Sequence, residues 1–354
     1  MATRHKTRHK TDKPAPEKSY HWARWPKDKL LEMRICDLGL HISGSPLEPR
    51  VQQLHHELER RGFEFRPHFW LSDDWYCPDG VPGVAIPFFL SHPRLRRLEL
   101  ESVMEVEGGT RDWCMRLLRH ESAHALLNAY QLHERRDWKR VFGRPNTPYP
   151  DTYLPKPYSK RYVLNLPNWY AQAHPHEDWA ETFAVWLRPK SDWRRRYRNW
   201  PAIKKIEYVD QLMHEIRGKR PRLRNLREEC PVGKMRMTLR EYYADKVARY
   251  GYDSPQFLDR DVQKLFSNNP EYAHNENASR YLRRNRHDIL DVVERWTGEY
   301  KYRINEALKE MVRLCDKLDL HVTREDQEMK PETVAFLTMV VMHKLYSGGY
   351  SINL

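Results

Sequence analysis

The chain has 354 residues, with 62 lysines and arginines against 49 aspartates and glutamates and a formal net charge of +13; a chain of this length is expected to divide into two domains. Hydrophobic residues make up 40% of it, and the longest apolar run, Val334 to Met342, is broken by Thr338 and too short for a bilayer, which excludes a membrane-spanning protein. The cysteines (Cys36, Cys77, Cys114, Cys230 and Cys315) are odd in number and scattered without a C-x-x-C pair, which excludes a disulfide framework and points to a reduced, cytoplasmic protein.

Met1 to Lys18 carries Arg4, Lys6, Arg8, Lys10, Lys13 and Lys18 without an apolar segment, so residues 1–25 read as a disordered basic arm and not as a secretory signal. Alternation and turn residues then predict strands over Leu31 to Ile42, Glu64 to Leu71 and Val84 to Leu90, and helices over Glu48 to Arg61 and Pro93 to Val106. Pro87 puts the last of these strands at a sheet edge or at a bulge. A helix follows over Trp113 to Tyr130. Arg144 to His174 is a long connection rich in proline and aromatics, Tyr149, Tyr153, Tyr158 and Tyr162 among them, suited either to wall a cleft or to pack on the domain surface. Pro175, at home in a first helical turn, opens a helix that Pro189 stops, and Trp193 to Arg217 is helical again. Arg217, Lys219, Arg220, Arg222, Arg224 and Arg227 crowd around Pro221 and mark 217–236 as a basic linker. Residues 237–354 read as several helices, with breaks near Gly251 and at Asn268-Asn269-Pro270. The expected fold class is α+β: a domain over 26–216 with a small mixed sheet and paired helices, then an α-helical domain.

Within Trp113 to Tyr130, the residues His120, Glu121, Ser122, Ala123 and His124 spell H-E-x-x-H. One helical turn separates the histidines, so both imidazoles leave the same face, about 5–6 Å apart at Cβ, and can hold one metal ion. Glu121 lies beside them, placed to take a proton from water. In the helix opened by Pro175, Glu177 and Glu181 are spaced i and i+4 and share a face. Glu177 as third ligand gives zinc two nitrogens and one oxygen and leaves a position open, which is a catalytic and not a structural arrangement. Glu181 is then placed to accept the remaining ring N–H of a ligating histidine. His174, His176, Asp178 and Glu181 are the alternative third ligands. His133, further along the first helix, turns to its opposite side. The Gly and His required of a metzincin are replaced by Leu127 and Tyr130. The surroundings of Cys77, Trp75-Tyr76-Cys77-Pro78-Asp79, do not look like the cysteine motif of a peptide deformylase.

With these residues assembled, the chain resembles the bacterial zinc-binding metallopeptidases of the zincin group that carry a glutamate ligand, a gluzincin-like set. The resemblance rests on Leu117-Leu118-Arg119-His120-Glu121-Ser122-Ala123-His124 and on Tyr170 through Phe183, with weaker similarity across Leu30 to Met213. It implies a zincin-like domain, a Zn2+ cofactor, and hydrolysis of amide bonds in a peptide or protein substrate. It also implies an oxyanion-stabilising tyrosine upstream of the third ligand, a position that falls on Tyr170; the alternative is an ordinary loop aromatic. An edge strand that holds extended substrate by main-chain hydrogen bonds falls on Val84 to Leu90. An amidase acting on a non-protein peptide conjugate uses the same chemistry.

The positive charge raises a reading from another class, a nucleic-acid-associated or scaffold protein with a vestigial or structural metal site. Arg194 to Arg196, the linker, and Arg280, Arg283, Arg284 and Arg286 are the residues that would meet phosphates or an acidic partner. No zinc ribbon or other nucleic-acid motif accompanies them, and scattered arginines also form plain solvated faces.

Overall fold

The computed structural model describes residues 20–150, 152–157, 159–249, 258–347 and 352–353. Most of the basic arm expected over 1–25 lies outside these. In chain order the elements are α1 (Lys27–Leu31), α2 (Glu48–Arg60), β1 (His68–Ser72), β2 (Gly83–Pro87), α3 (Pro93–Val103), α4 (Arg111–Tyr130), α5 (Arg136–Phe142), β3 (Thr152–Tyr153), α6 (Pro175–Leu187), α7 (Trp193–Arg196), α8 (Ile203–Ile216) and α9 (Leu239–Arg249). They continue as α10 (Leu258–Leu265), β4 (Phe266–Ser267), α11 (Ala278–Arg284), α12 (Arg286–Thr297), α13 (Lys301–Lys317), β5 (His321–Val322), α14 (Asp326–Ser347) and β6 (Ile352–Asn353). Helices dominate, and the sheets are two-stranded: β1 with β2 in parallel, β3 with β6 and β4 with β5 antiparallel.

One apolar core gathers residues from Trp22 to Tyr243, and a second gathers residues from Val262 to Val341. Leu239, Tyr242 and Tyr243 place α9 in the first core. The basic stretch between α8 and α9 is fastened at Ala129 of that core and at Trp70 and Tyr76 of a small separate cluster. Arg222 N and Leu223 N both donate to Ala129 O, at 2.8 and 3.0 Å, while Trp70 Nε1 and Tyr76 OH donate to Glu229 O at 2.8 and 2.9 Å. Its backbone carbonyls thus satisfy side-chain donors of β1 and the loop after it, which is how buried polar groups are normally met.

Three stretches differ from the sequence expectation, the first because of a partner distant in the chain and the other two at a proline. Leu31 to Ile42 is not a strand: it holds the end of α1 and a 3-10 turn, Ile35–Leu38, closed by Gly39 at φ 64°. Ile35 N and Cys36 N donate to Met237 O and Met235 O at 3.0 and 2.9 Å, so the chain before α9 takes up the hydrogen bonds a sheet would have used. Val84 to Leu90 is a strand only as far as Pro87, after which Phe88–Ser91 turns as a 3-10 helix. β2 is an edge strand whose outer side is closed at one point. It is buried at every position, pairs with β1 from His68↔Gly83 to Ser72↔Pro87, and at Ala85 donates its N–H to Tyr76 O at 2.9 Å. The helix expected over Trp193 to Arg217 is broken between α7 and α8, where Pro201 cannot continue the ladder.

Candidate metal centre

The centre is built where α4 crosses α6. Thr110 caps α4, its hydroxyl accepting from Trp113 N at 3.3 Å, and the helix is buried over nearly its whole circumference from Cys114 to Tyr130, as a helix threading a core must be. His174 caps α6, its Nδ1 accepting from His176 N at 3.2 Å; Pro175 fills the first position and Glu177 the third. Fully buried Ala123, Ala180 and Ala184 keep side-chain bulk out of the crossing, and Trp179 Nε1 donates to Ala123 O at 2.9 Å, fixing the register between the helices. On the other flank of α4, the buried Arg119 guanidinium grips both oxygens of Glu57 on α2 at 2.7 and 2.9 Å, which sets the rotation of the turn carrying His120.

These restraints bring three donor atoms together. His120 Nε2 lies 3.0 Å from Glu177 Oε2 and 3.2 Å from His124 Nε2, and His124 Nε2 lies 3.5 Å from Glu177 Oε2. Tetrahedral zinc with bonds of about 2.0–2.1 Å has donor–donor edges of about 3.3–3.4 Å, so the triangle has the size of one tetrahedral face. Its chemistry fits as well. His120 Nδ1 donates to Glu181 Oε1 at 2.8 Å, which in the neutral ring leaves Nε2 a lone pair facing Glu177 Oε2 and His124 Nε2. A single cation bound by all three atoms would satisfy them together. Burial opposes charge on the His120 ring, yet the adjoining Glu177 and Glu181 carboxylates hold its pKa well above the usual imidazole value. Glu177 in turn is held well below the usual carboxylate range, against its burial, by His124 and His120. Both shifts come from the pairing of the imidazoles with the carboxylates.

The remaining candidates sit elsewhere or do something else. Glu181 is 1% exposed and stands behind His120, accepting also from Asn165 Nδ2 and Leu166 N, each at 2.8 Å. Because its Nδ1 is an acceptor, His174 carries its proton on Nε2 and donates it to Thr147 O at 2.8 Å, so neither ring nitrogen is free. His176 lines the cleft, neutral, its pKa lowered to about 4 by burial, with its ring beside that of His133 at 6.1 Å. Asp178 turns away to Lys205 at 2.5 Å. Cys77 also lines the cleft, but burial pushes its thiol well up and it donates to Val81 O.

A cleft of about 350 Å³ opens onto the donor triangle, walled by Trp75 to Asp79, Tyr149 and Tyr170. Glu121 faces it with a carboxyl raised above its ordinary value by burial, and no described residue hydrogen-bonds that carboxyl. Tyr170 sits in the 3-10 turn Pro167–Gln172, its ring 5.6 Å from that of His120; Asn168 and Trp169 before it hold φ of 58° and 54°, a strained left-handed pair that turns the ring inward. Three contributors went unassigned from sequence: Asn165, Tyr149 and Asn128. Tyr149 OH donates to Glu177 Oε1 at 2.8 Å, and Asn128 Nδ2 holds the Trp75 to Asp79 wall through Pro78 O and Val81 O at 2.9 and 3.0 Å. Asn128 left a signal, since it lies four residues beyond His124 on the same helical face, and Tyr149 belongs to the connection suited to wall a cleft, though the sequence does not show its bond to Glu177.

Two imidazoles and a carboxylate converging in a cleft beside an uncommitted acid form the donor set of a zinc hydrolase. The comparison with known families agrees: residues 114–193, which contain all of these donors, match the family described as "putative zinc-binding metallo-peptidase", the one the sequence resembles. No curated protein and no solved structure matches the chain. Neither the match nor the site supports a nucleic-acid or acidic partner, and no helix among the described residues is long and apolar enough to cross a membrane.

Proposed function

We propose that the chain is a zinc-dependent peptidase, built on a zincin-like pairing of α4 and α6, that hydrolyses amide bonds of a peptide or protein. The observation that carries this reading is the triangle of His120 Nε2, His124 Nε2 and Glu177 Oε2, with sides of 3.0 to 3.5 Å, beside the uncommitted Glu121. These three side chains hold the ion, and Glu181, by accepting the Nδ1 proton of His120, keeps Nε2 available to it. When bound, zinc supplies Lewis acidity and makes water a nucleophile at a pH of about 7. Glu121 takes a proton from the attacking water and passes it to the leaving amine; its burial-raised pKa suits a group that must hold that proton between steps. Tyr170 donates its hydroxyl to the carbonyl oxygen as charge develops there.

The catalytic unit is proposed to run through α9, whose aromatic residues lie in the first core, with the helices from Leu258 onward as a separate unit. Five free thiols support a reducing, cytoplasmic setting. Metal analysis of the purified protein, beside a peptide-library cleavage assay with and without chelator, tests the function. One zinc per chain and chelator-sensitive cleavage are expected. Zinc-loaded protein that cleaves no amide, or cleavage indifferent to chelation, rejects it.

A further inference from the structure

The two carboxylate oxygens of Glu177 have different partners. Oε2 faces the histidines at 3.0 and 3.5 Å, whereas Oε1 accepts the hydroxyl of Tyr149 at 2.8 Å. Tyr149 reaches this place from the long connection between α5 and α6, and it does not rest there loosely. Its ring lies flat on that of His174, with centroids 3.7 Å apart and 20° between the planes. His174 is itself immobilised through both nitrogens, one on the N–H of His176 and the other on Thr147 O, two residues before Tyr149. The connection therefore grips the first turn of α6 twice, and Glu177 belongs to that turn.

Resting on the reading of His120, His124 and Glu177 as ligands, we propose that Tyr149 is a positioning residue that restricts Glu177 to one donor oxygen. A carboxylate free at both oxygens can swing both onto a metal ion. To do so here, Oε1 must leave the phenol, and the stacked ring cannot follow it. A single oxygen from Glu177 keeps the protein's contribution at three donors, the number that leaves a catalytic zinc site open to a further ligand. Tyr149 and Tyr170 thereby divide their work: Tyr149 is spent on the ligand, and the hydroxyl of Tyr170, which no described residue engages, is left to the substrate.

The test is Tyr149→Phe, which removes the hydroxyl and keeps the stack; with Tyr149 51% exposed, the substitution is compatible with folding, to be confirmed by circular dichroism. Wild type, Tyr149→Phe and Tyr170→Phe are loaded with Co2+ and their visible absorption recorded, and Zn2+ affinity is measured by competition with a chromophoric chelator. The wild type and Tyr170→Phe are expected to give the intense band of four-coordinate cobalt. Tyr149→Phe is expected to give a several-fold weaker, five-coordinate band, with zinc bound about 10–100-fold less tightly, the usual cost of losing a residue that orients a ligand. A folded Tyr149→Phe with the wild-type cobalt spectrum overturns the inference and leaves the metal site standing. Wild type that takes up neither ion overturns the ligand set, and the inference with it.

Discussion

Replacing Glu181 with glutamine tests the centre where its geometry is most constrained. The carboxylate is buried and accepts three hydrogen bonds of 2.8 Å, from His120 Nδ1, Asn165 Nδ2 and Leu166 N. Glutamine keeps the shape but must turn an NH2 toward one side. Facing Leu166, the amide sets donor against donor in a buried place, at a cost of about 1–3 kcal/mol. Facing His120 instead, it forces the ring proton from Nδ1 to Nε2 and removes the lone pair that would bind metal. The first arrangement is the cheaper, and it still weakens the centre, because a neutral acceptor replaces a charged one on the ring. That exchange forfeits about 1–2 kcal/mol of a charge-assisted bond, which at about 1.4 kcal/mol per decade is a loss of roughly 5–30-fold in zinc affinity. Glu181→Gln should therefore bind zinc about tenfold less tightly, at the lower end of the range usual for such partners, and the metal-free protein should lose about 1–3 kcal/mol in urea unfolding. A competition titration against a chelator, with circular dichroism as the check on folding, measures both. A variant that binds zinc within twofold of wild type would show that the His120–Glu181 contact does not control the ring, and the reasoning would be wrong.

Glu121→Gln should retain zinc by metal analysis while kcat/KM falls by at least about 10²–10⁴-fold, the usual weight of general acid–base catalysis; turnover near the wild-type rate would remove Glu121 from the mechanism. His120→Ala and Glu177→Ala should each copurify with little metal, and full occupancy in either would dissolve the donor triangle. Trp179→Ala deletes a fully buried ring and its bond to Ala123 O and should destabilise the fold by about 3–5 kcal/mol; a loss under about 1 kcal/mol would mean that α4 and α6 are held together by something else. Free zinc at a hundred times its dissociation constant should stabilise the fold by about 2.7 kcal/mol, so a melting temperature indifferent to chelator would indicate that the ion does not bind the native state.

What is legible in this sequence is what helix geometry decides within a turn or two. H-E-x-x-H puts His120 and His124 on one face wherever the helix runs, and Glu177 and Glu181 share a face for the same reason. Choosing among the acidic and histidine residues near Pro175 is another matter. Asp178 and Glu181 carry carboxyl groups just as Glu177 does, and what separates them is Lys205 drawing one away and Asn165 and Leu166 holding the other behind His120, contacts made across 15 to 27 positions of chain. Alternation likewise reports burial and not partnership. It identified Val84 to Leu90 as an apolar strand, which holds as far as Pro87, but not that Tyr76 would return to bond Ala85 and close the edge there. The expectation that extended substrate pairs with this strand fails at Ala85 for that reason. The same bond bears on recognition, because Tyr76 and the residues after it, pinned by Asn128, wall the cleft itself. On the proposed peptidase reading, a loop fastened to the helix that carries His124 would take part in substrate selection, and changes at Asn128 should alter which peptides are cleaved before they alter how much metal is held; a library profile unchanged in Asn128→Ala, with zinc content intact, would detach the wall from specificity.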